Sequence, residues 1–380
     1  MKKNKIKVLH LICMMNDAGA QKIVMNYLND FNNDEDIEMR VLVYSNISNS
    51  NNDKKIEKEN YKVDYLFKGI NNRFLRKICK IFFGRNKIKN YIKQYNPDIV
   101  HVHISGLLNI VLKPIVSCNV PLRFNTLHSN PLRYQGKTLR NIRDAYKKYN
   151  FIPICVTNEQ VNVAKKHYGF SKYEVLYNGI DFESITKKII DKRTAREKFN
   201  ISMEDYVIIG VGRLERIKRF DYLIEIFEKV YKKNKKAKLI FAGSGNKKNS
   251  LIKLVKKYNL EDKVRFIGNI ENIVELYCAA DVMAITSESE SSSLVLLESQ
   301  ICGLYNVISY DVPSESIISN KVKKMDKNSS IDDWAQSLVR CECNEKKINN
   351  YKDYEVHDVS KKLKQIYLKY MKEYENKKYN

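Results

Sequence analysis

The sequence predicts an α/β protein of two doubly wound parallel-sheet domains, and three observations carry that expectation. Short apolar runs of strand type alternate with helical patterns and return about every thirty residues, the spacing of βαβ units. The series runs through the first half of the chain, passes a polar stretch at 178–194, and begins again at Tyr206. With 380 residues and 43% hydrophobic content, the chain is long enough for two domains that each bury a core. The expected division is 1–180, then 181–350, then an amphipathic helix within 351–380.

Residues 6–13 read as a buried first strand. The basic start MKKNKIK before VLHLICMM also looks like a secretory leader, but the apolar run is short and holds His10, so the strand reading is preferred. A loop at 14–19 leads to a helix over 20–31, with Ile23, Val24, Tyr27 and Leu28 on one face. Further strands are expected at 39–44, 63–67, 99–104, 122–127 and 152–156. Between the first two of these, 46–60 is a polar excursion that grades from loop into helix. His101 and His103 lie two apart and so share a strand face. A metal pair would need a third ligand, none is evident nearby in the sequence, and the two read as sheet residues. His128 follows a strand, where α/β sheets present residues to a ligand crevice.

Residues 73–93 stand apart. Arg73, Arg76, Lys77, Lys80, Arg85, Lys87, Lys89 and Lys93 occur there with no acidic residue, interleaved with Phe74, Leu75, Ile78, Ile81, Phe82, Phe83 and Ile88. Two readings are open: a surface helix that lies on an anionic membrane, and an ordinary domain helix with a solvated basic face. Gly84 is expected to interrupt the pattern.

In the second half, strands are expected at 207–211, 239–242, 264–267, 282–285 and 306–309. The stretch TSESESSSLVLLESQICG at 286–303 organises this half. A strand runs into a Ser/Glu loop and then into an apolar helix from Leu294, a geometry that aims unpaired backbone N–H groups at an anion. Glu290 is read in the loop and Glu298 about one turn into the helix. Ordinary N-capping by serine accounts for the same residues. What favours a site is GVGRLERIKRF at 210–220, where Arg213 and Lys218 follow a strand ending at a glycine and can form a cation pair for a diphosphate. Gly243-Ser244-Gly245 opens a helix, but Lys248 stands where a dinucleotide fingerprint needs its last glycine, and no GxxxxGK[ST] occurs. Dehydrogenase and P-loop classes are thereby excluded.

GRLxxxK at 212–218 followed by Glu290-x7-Glu298 resembles the retaining glycosyltransferases of family 4, which have the GT-B fold. The resemblance covers most of the chain, through AGAQ at 18–21, VLYNGID at 175–181, FAGSG at 241–245 and RFIGNIENI at 265–273. It implies two Rossmann-like domains facing a cleft, the first on the acceptor side and the second binding a nucleotide sugar, with the C-terminal helix packing back on the first. It also implies a donor site of Gly19, Arg213, Lys218, Glu290, Ser292, Ser293, Leu294 and Glu298. In that site Arg213, Lys218 and the N–H groups of 292–294 neutralise the departing diphosphate, and Glu298 holds the ribose. Glu290 and His128 lie at the transferred sugar, so that Glu290, His128, Arg213 and Lys218 form the catalytic set. Gly243, Gly268 and Asn269 would line the base pocket. The implied reaction carries a hexose from a nucleotide diphosphate sugar, UDP first, to a glycan or lipid-linked acceptor. It belongs to capsule or exopolysaccharide synthesis, with retention of configuration and no metal or cofactor. Three positions depart from the family pattern: Ala18 and Ser291 replace glycines, and Tyr305 replaces a proline. A nucleotide-sugar-binding pseudoenzyme and a UDP-sugar epimerase of the same fold stay open, the latter disfavoured by the glutamate spacing.

The formal net charge of +24 admits nucleic acid, an anionic membrane face or anionic small molecules as partners, and equally drift in a Lys- and Asn-rich composition. No aromatic–basic nucleic-acid module is present, so nucleic acid is not an expected partner. The eight cysteines, Cys13, Cys79, Cys118, Cys155, Cys278, Cys302, Cys341 and Cys343, show no zinc-ligand spacing and suit a reducing cytoplasm. No stretch approaches the ~20 apolar residues of a membrane span. The expectation is a cytoplasmic protein, and the membrane reading of 73–93 would add peripheral contact at the inner membrane face.

Overall fold

The computed structural model describes residues 5–45, 50–70, 72–340, 348 and 351–379; Cys341 and Cys343 and the side chains of Arg73, Arg76, Lys77, Ile81 and Tyr379 lie outside that description. Two parallel sheets organise the chain. The first holds β1 (Ile6–Ile12), β2 (Ile37–Val43), β3 (Val63–Tyr65), β4 (Ile99–His103), β5 (Leu122–Leu127), β6 (Ile152–Cys155) and β7 (Glu174–Val175), in the order β3-β2-β1-β4-β5-β6-β7. The second holds β8 (Tyr206–Val211), β9 (Ala237–Ala242), β10 (Val264–Gly268), β11 (Val282–Ile285), β12 (Tyr305–Ile308) and β13 (Val322–Lys324), in the order β10-β9-β8-β11-β12-β13. In each sheet the chain builds outward in one direction and then returns to the middle. The reversals fall between β1 and β4 and between β8 and β11, the switch points where such sheets bind ligands.

The chain divides into two compact units, Met1–Gly179 with Asp353–Asn380, and Ile180–Lys352. Their central strands are mostly apolar and buried, as strands covered on both faces must be. Alternation sorts β8 cleanly: Ile208 packs with Phe227, Leu239, Phe241 and Trp334 on one face, Ile209 with Ile240, Met283 and Leu296 on the other. Arg196, fully buried, ties the second sheet at its base. It donates to Ala279 O, Ser202 O and Met203 O and to Asp281 Oδ2 at 2.8 Å, and Asp281 Oδ2 also accepts from Val207 N. Removing Asp281 leaves the buried Arg196 charge without its carboxylate, a loss of about 3–5 kcal/mol.

Some elements depart from expectation and others follow it. β7 and β13 are edge strands of two and three residues, too short to leave a period-2 pattern. Gly84 does not interrupt its helix, which runs unbroken from Arg73 to Tyr95. A Cβ there would stand 2.7 Å from the Tyr44 hydroxyl, so the glycine makes room for a neighbour. The polar excursion forms a helix, Asn51–Lys58, started by a Ser50–Asp53 capping box; residues 46–49 lie outside the description. The polar stretch after Asn178 holds two short helices, Phe182–Thr186 and Lys192–Lys198, capped by Asp181 and Asp191. The closing helix Val356–Tyr379 groups with the first unit, where Lys364 Nζ reaches both Asp34 oxygens at 2.8 and 2.9 Å. Among the described residues, no helix is long and apolar enough to cross a membrane, and the six described cysteines are free thiols.

Candidate functional site

At the β8/β11 switch point, both strands end in loops that are laced together. β8 passes through Gly212, at φ 142°, into the 3-10 turn Arg216–Lys218. β11 passes through Thr286 and Ser287 into the helix Leu294–Ile301. Thr286 Oγ1 donates to Lys218 O and Arg219 O, each at 3.0 Å, and Glu288 N donates to Ile217 O at 2.9 Å. The lacing sets Lys218 Nζ 2.6 Å from Glu290 Oε1, the two side chains 17% and 13% exposed. Ser287 Oγ donates to the same oxygen at 2.8 Å. A Cβ on Gly243 would fall 2.0 Å from Gly212 O, so that close approach of two strand ends requires glycine.

The helix start itself is uncommitted. The hydroxyls of Ser291, Ser292 and Ser293 are buried with no hydrogen-bond partner among the described residues. Ser293 holds the N-cap position, yet its side chain makes no cap bond. Ordinary serine capping therefore does not account for this sequence. By helix geometry the first N–H groups also lack intrahelical acceptors, and they form the positive end of the dipole. Three hydroxyls, these N–H groups and Lys218 make a locus suited to an anion of several oxygens.

Glu298 sits one turn into the helix, nearly buried, where its Oε2 accepts from the Tyr277 hydroxyl at 3.0 Å. Burial first, then the Glu298 charge, hold the Tyr277 phenol well above its usual range. Arg213 is exposed and pairs with Glu215 Oε1, two residues on, at 2.5 Å, while Lys218 pairs with Glu290. Gly243, just after β9, and Gly268, at the end of β10, have positive φ and are joined by a Gly243 N to Gly268 O bond of 2.7 Å, and Asn269 is exposed. The departing residues fit without strain. Ser291 is not among the described residues with positive φ, Ala18 is extended at φ −87° before the helix Gly19–Phe31, and Tyr305 pairs in register with Val282.

The β1/β4 switch point has a different lining. Parallel register places His10 beside His101, and His103 lies two residues further along the same face. The expectation that no third ligand stands near His101 and His103 is thereby corrected: His10 supplies one, with ligand nitrogens of all three within 4.8 Å of one another. Yet the nitrogens point at each other. His10 Nδ1 and His103 Nε2 are 2.8 Å apart, and His103 Nδ1 and His128 Nε2 are 2.9 Å apart. The ring planes of each pair lie within 20° of parallel. Two nitrogens on one tetrahedral zinc stand about 3.3 Å apart, so this is hydrogen bonding along a line rather than a coordination shell. His101 bonds Tyr367 OH at 2.6 Å and Thr126 Oγ1 at 2.7 Å. Burial lowers His10 to about 3 and His128 to about 4, and His101 and His103 lie well below the usual histidine range for the same reason. Ile104, immediately after β4, is held at φ 72°, unusual for a β-branched residue. Gly19 opens its helix exposed. Tyr367, on the C-terminal helix, and His10, inside an apolar run, were missed as site residues. The one legible signal was a histidine near the end of each central strand.

Residues 34–184 match the family model described as Glycosyltransferase Family 4, and residues 191–356 match the one described as Glycosyl transferases group 1. The chain is 26% identical to the N-acetyl-alpha-D-glucosaminyl L-malate synthase of Bacillus anthracis over 58% of each chain. It is 25% identical to the putative glycosyltransferase EpsF of Bacillus subtilis over 90% of this chain and 88% of that one. The chain spans about half the length of several curated relatives it matches. Among solved structures, Anabaena HepE in complex with UDP-glucose superposes with TM-score 0.71 at 17% identity, covering 96% of this chain and 100% of that one. The two Rossmann-like sheets and this likeness establish the GT-B fold.

Proposed function

We propose, for a GT-B chain made of a glycosyltransferase family 4 domain followed by a glycosyl transferases group 1 domain, that it transfers a sugar from a nucleotide diphosphate sugar to a hydroxyl acceptor. The observation that carries this reading is the trio of buried serine hydroxyls at the helix start beside Lys218, without partners among the described residues. Those groups suit a diphosphate, and HepE, of the same fold, was solved with UDP-glucose. UDP is thus the first candidate nucleotide.

In the reaction the anomeric C–O bond to the diphosphate breaks and a new C–O bond to the acceptor forms. The acceptor's proton balances the freed diphosphate. Lys218, the serine hydroxyls and the helix N–H groups stabilise the charge that grows on the leaving group, so the chain's own groups do the work of electrostatic catalysis. Glu298 is assigned to the ribose. Glu290 is assigned to the sugar, where positive charge develops, and entry of the diphosphate would draw Lys218 away from it. Arg213 is exposed enough to swing onto the diphosphate. Gly243, Gly268 and Asn269 are assigned to the base, and His128 to a sugar hydroxyl. Retention of configuration and independence of metal belong to this reading.

The acceptor is proposed to be a glycan or a lipid-linked sugar in surface-polysaccharide synthesis, met at an anionic membrane face. The helix Arg73–Tyr95 exposes Phe74 and Phe82 by 69% and 70%, with Leu75 and Phe83 also exposed, beside the basic Lys80, Arg85, Lys87 and Lys89. Apolar anchors among cations suit peripheral binding, each cation contributing about 1 kcal/mol. The testing experiment is a thermal-shift screen of UDP, GDP and ADP with assay of nucleotide release from their sugars. The true nucleotide at about 100 times its Kd stabilises by about 2.7 kcal/mol. Stabilisation without turnover on any acceptor would leave a nucleotide-sugar-binding protein instead.

A further inference from the structure

A single line of hydrogen bonds runs through the β1/β4 switch point. It joins His128 Nε2 to His103 Nδ1 at 2.9 Å, His103 Nε2 to His10 Nδ1 at 2.8 Å, and His10 Nε2 to Tyr367 OH at 3.3 Å. It continues from Tyr367 OH to His101 Nδ1 at 2.6 Å and from His101 Nε2 to Thr126 Oγ1 at 2.7 Å. A neutral imidazole has one donor nitrogen and one acceptor nitrogen. Each ring that donates on one side must therefore accept on the other, and one choice of direction sets the tautomer of all four. His10, His101 and His103 are fully buried, and burial keeps them neutral. The titratable groups packed against the line are Tyr27 from the helix Gly19–Phe31 and Tyr367, and burial holds both phenols protonated.

Tyr367 makes the choice. Its one proton belongs in the 2.6 Å contact, an O–H donor length, whereas 3.3 Å is a long N–H···O distance. The phenol thus donates to His101 Nδ1 and accepts from His10 Nε2–H. His10 Nδ1 then accepts from His103 Nε2–H, and His103 Nδ1 accepts from His128 Nε2–H. We propose that Tyr367, His10 and His103 are positioning residues that fix His128 as its Nε2–H tautomer, with Nδ1 presented as a hydrogen-bond acceptor for a ligand hydroxyl. The ligand part rests on the transferase reading; the tautomer part stands without it.

The chain has only six histidines, so long-range 1H–15N spectra of protein labelled at histidine resolve their ring nitrogens, and His128→Gln assigns that ring. The expected wild-type spectrum shows neutral rings with His128 protonated at Nε2. Tyr367→Phe, which removes one oxygen, shifts His10, His103 and His128 to mixed tautomers. Thr126→Val, at the far end, leaves His128 unchanged. Tyr367→Phe also lowers kcat/KM by about fivefold, the worth of one hydrogen bond, without weakening binding of UDP alone. A His128 ring protonated at Nδ1, or one indifferent to Tyr367→Phe, overturns the proposal. Should Tyr367→Phe not fold, the wild-type spectrum decides alone. A tautomer shift in a protein without transfer activity would sink the transferase reading and leave the hydrogen-bonded line intact.

Discussion

The two switch points sit at the same topological place in their sheets and are chemically opposite. At β8/β11 the lining is ionic and unfinished: a Lys218–Glu290 pair and three serine hydroxyls without partners among the described residues. At β1/β4 it is neutral, a line of histidines that runs from His128 through Tyr367 to Thr126. Uncommitted polar groups are costly when buried, so a site that keeps them is arranged for a ligand that completes them. A satisfied neutral network cannot capture charge, but it can orient one ring at its edge. On the proposed reading, the difference gives charge binding to the second unit and hydroxyl orientation to the first.

Acid should break the symmetry most. Unfolded histidine titrates near 6.5, while His10 in the fold is lowered to about 3. Above about pH 7 both states are neutral and nothing is lost. As pH falls below 6.5 the unfolded chain binds protons that the folded chain refuses, and stability drops until the folded value is reached. At pH 5 each such ring costs about 2 kcal/mol. Hydrogen exchange compared at pH 7.5 and pH 5, corrected for intrinsic rates, is expected to show β1, β4 and β5 losing protection while β8 and β11 keep theirs. Equal loss in both sheets would refute the neutral-histidine account.

The next effect sharpens the ionic side. Glu290→Gln is expected to lower kcat at least tenfold, about 1.4 kcal/mol, while UDP affinity holds or rises because Lys218 is released. Glu298→Gln is expected to raise KM about fivefold with modest change in kcat, since the ribose is held alike in ground and transition states. Steady-state kinetics with UDP titrations separate the two, and equal loss of affinity in both variants would end the division of roles.

The smallest effect is the most particular to this helix. An N-cap serine replaced by alanine ordinarily costs about 1 kcal/mol. Ser293→Ala is expected to change stability by less than about 0.5 kcal/mol, because its hydroxyl makes no cap bond. UDP affinity should fall about threefold, part of a hydrogen bond's worth. A full capping loss with unchanged affinity in melts and titrations would restore the ordinary helix.

How much of this was legible follows the range of the interactions. The alternation of apolar runs reports local burial, so both parallel sheets were readable, and their long strands agree with the sequence pattern. β13, a Val322-Lys323-Lys324 edge, has no such pattern. The strand–loop–helix signal at Ser291–Ser293 was readable because it is contiguous. That the hydroxyls stay uncommitted was not, because capping and ligand binding use the same residues. The histidine line was the least legible. His10, His101, His128 and Tyr367 are spread across the chain, and only strand order and register bring them together. The pairing of Arg213 with Glu215, two residues on, is local and yet was not read from the sequence.

The most direct test is a calorimetric titration of UDP into the wild-type protein and Lys218→Ala, at two salt concentrations. If the β8/β11 switch point is the diphosphate locus, wild type binds UDP, and the variant binds at least tenfold more weakly and with a shallower salt dependence. That follows from losing a charged hydrogen bond worth about 1.5–3 kcal/mol. Arg213→Ala, from an exposed position, should cost less. UDP affinity indifferent to Lys218→Ala, or no binding of UDP, GDP or ADP to the wild-type protein, would contradict the account.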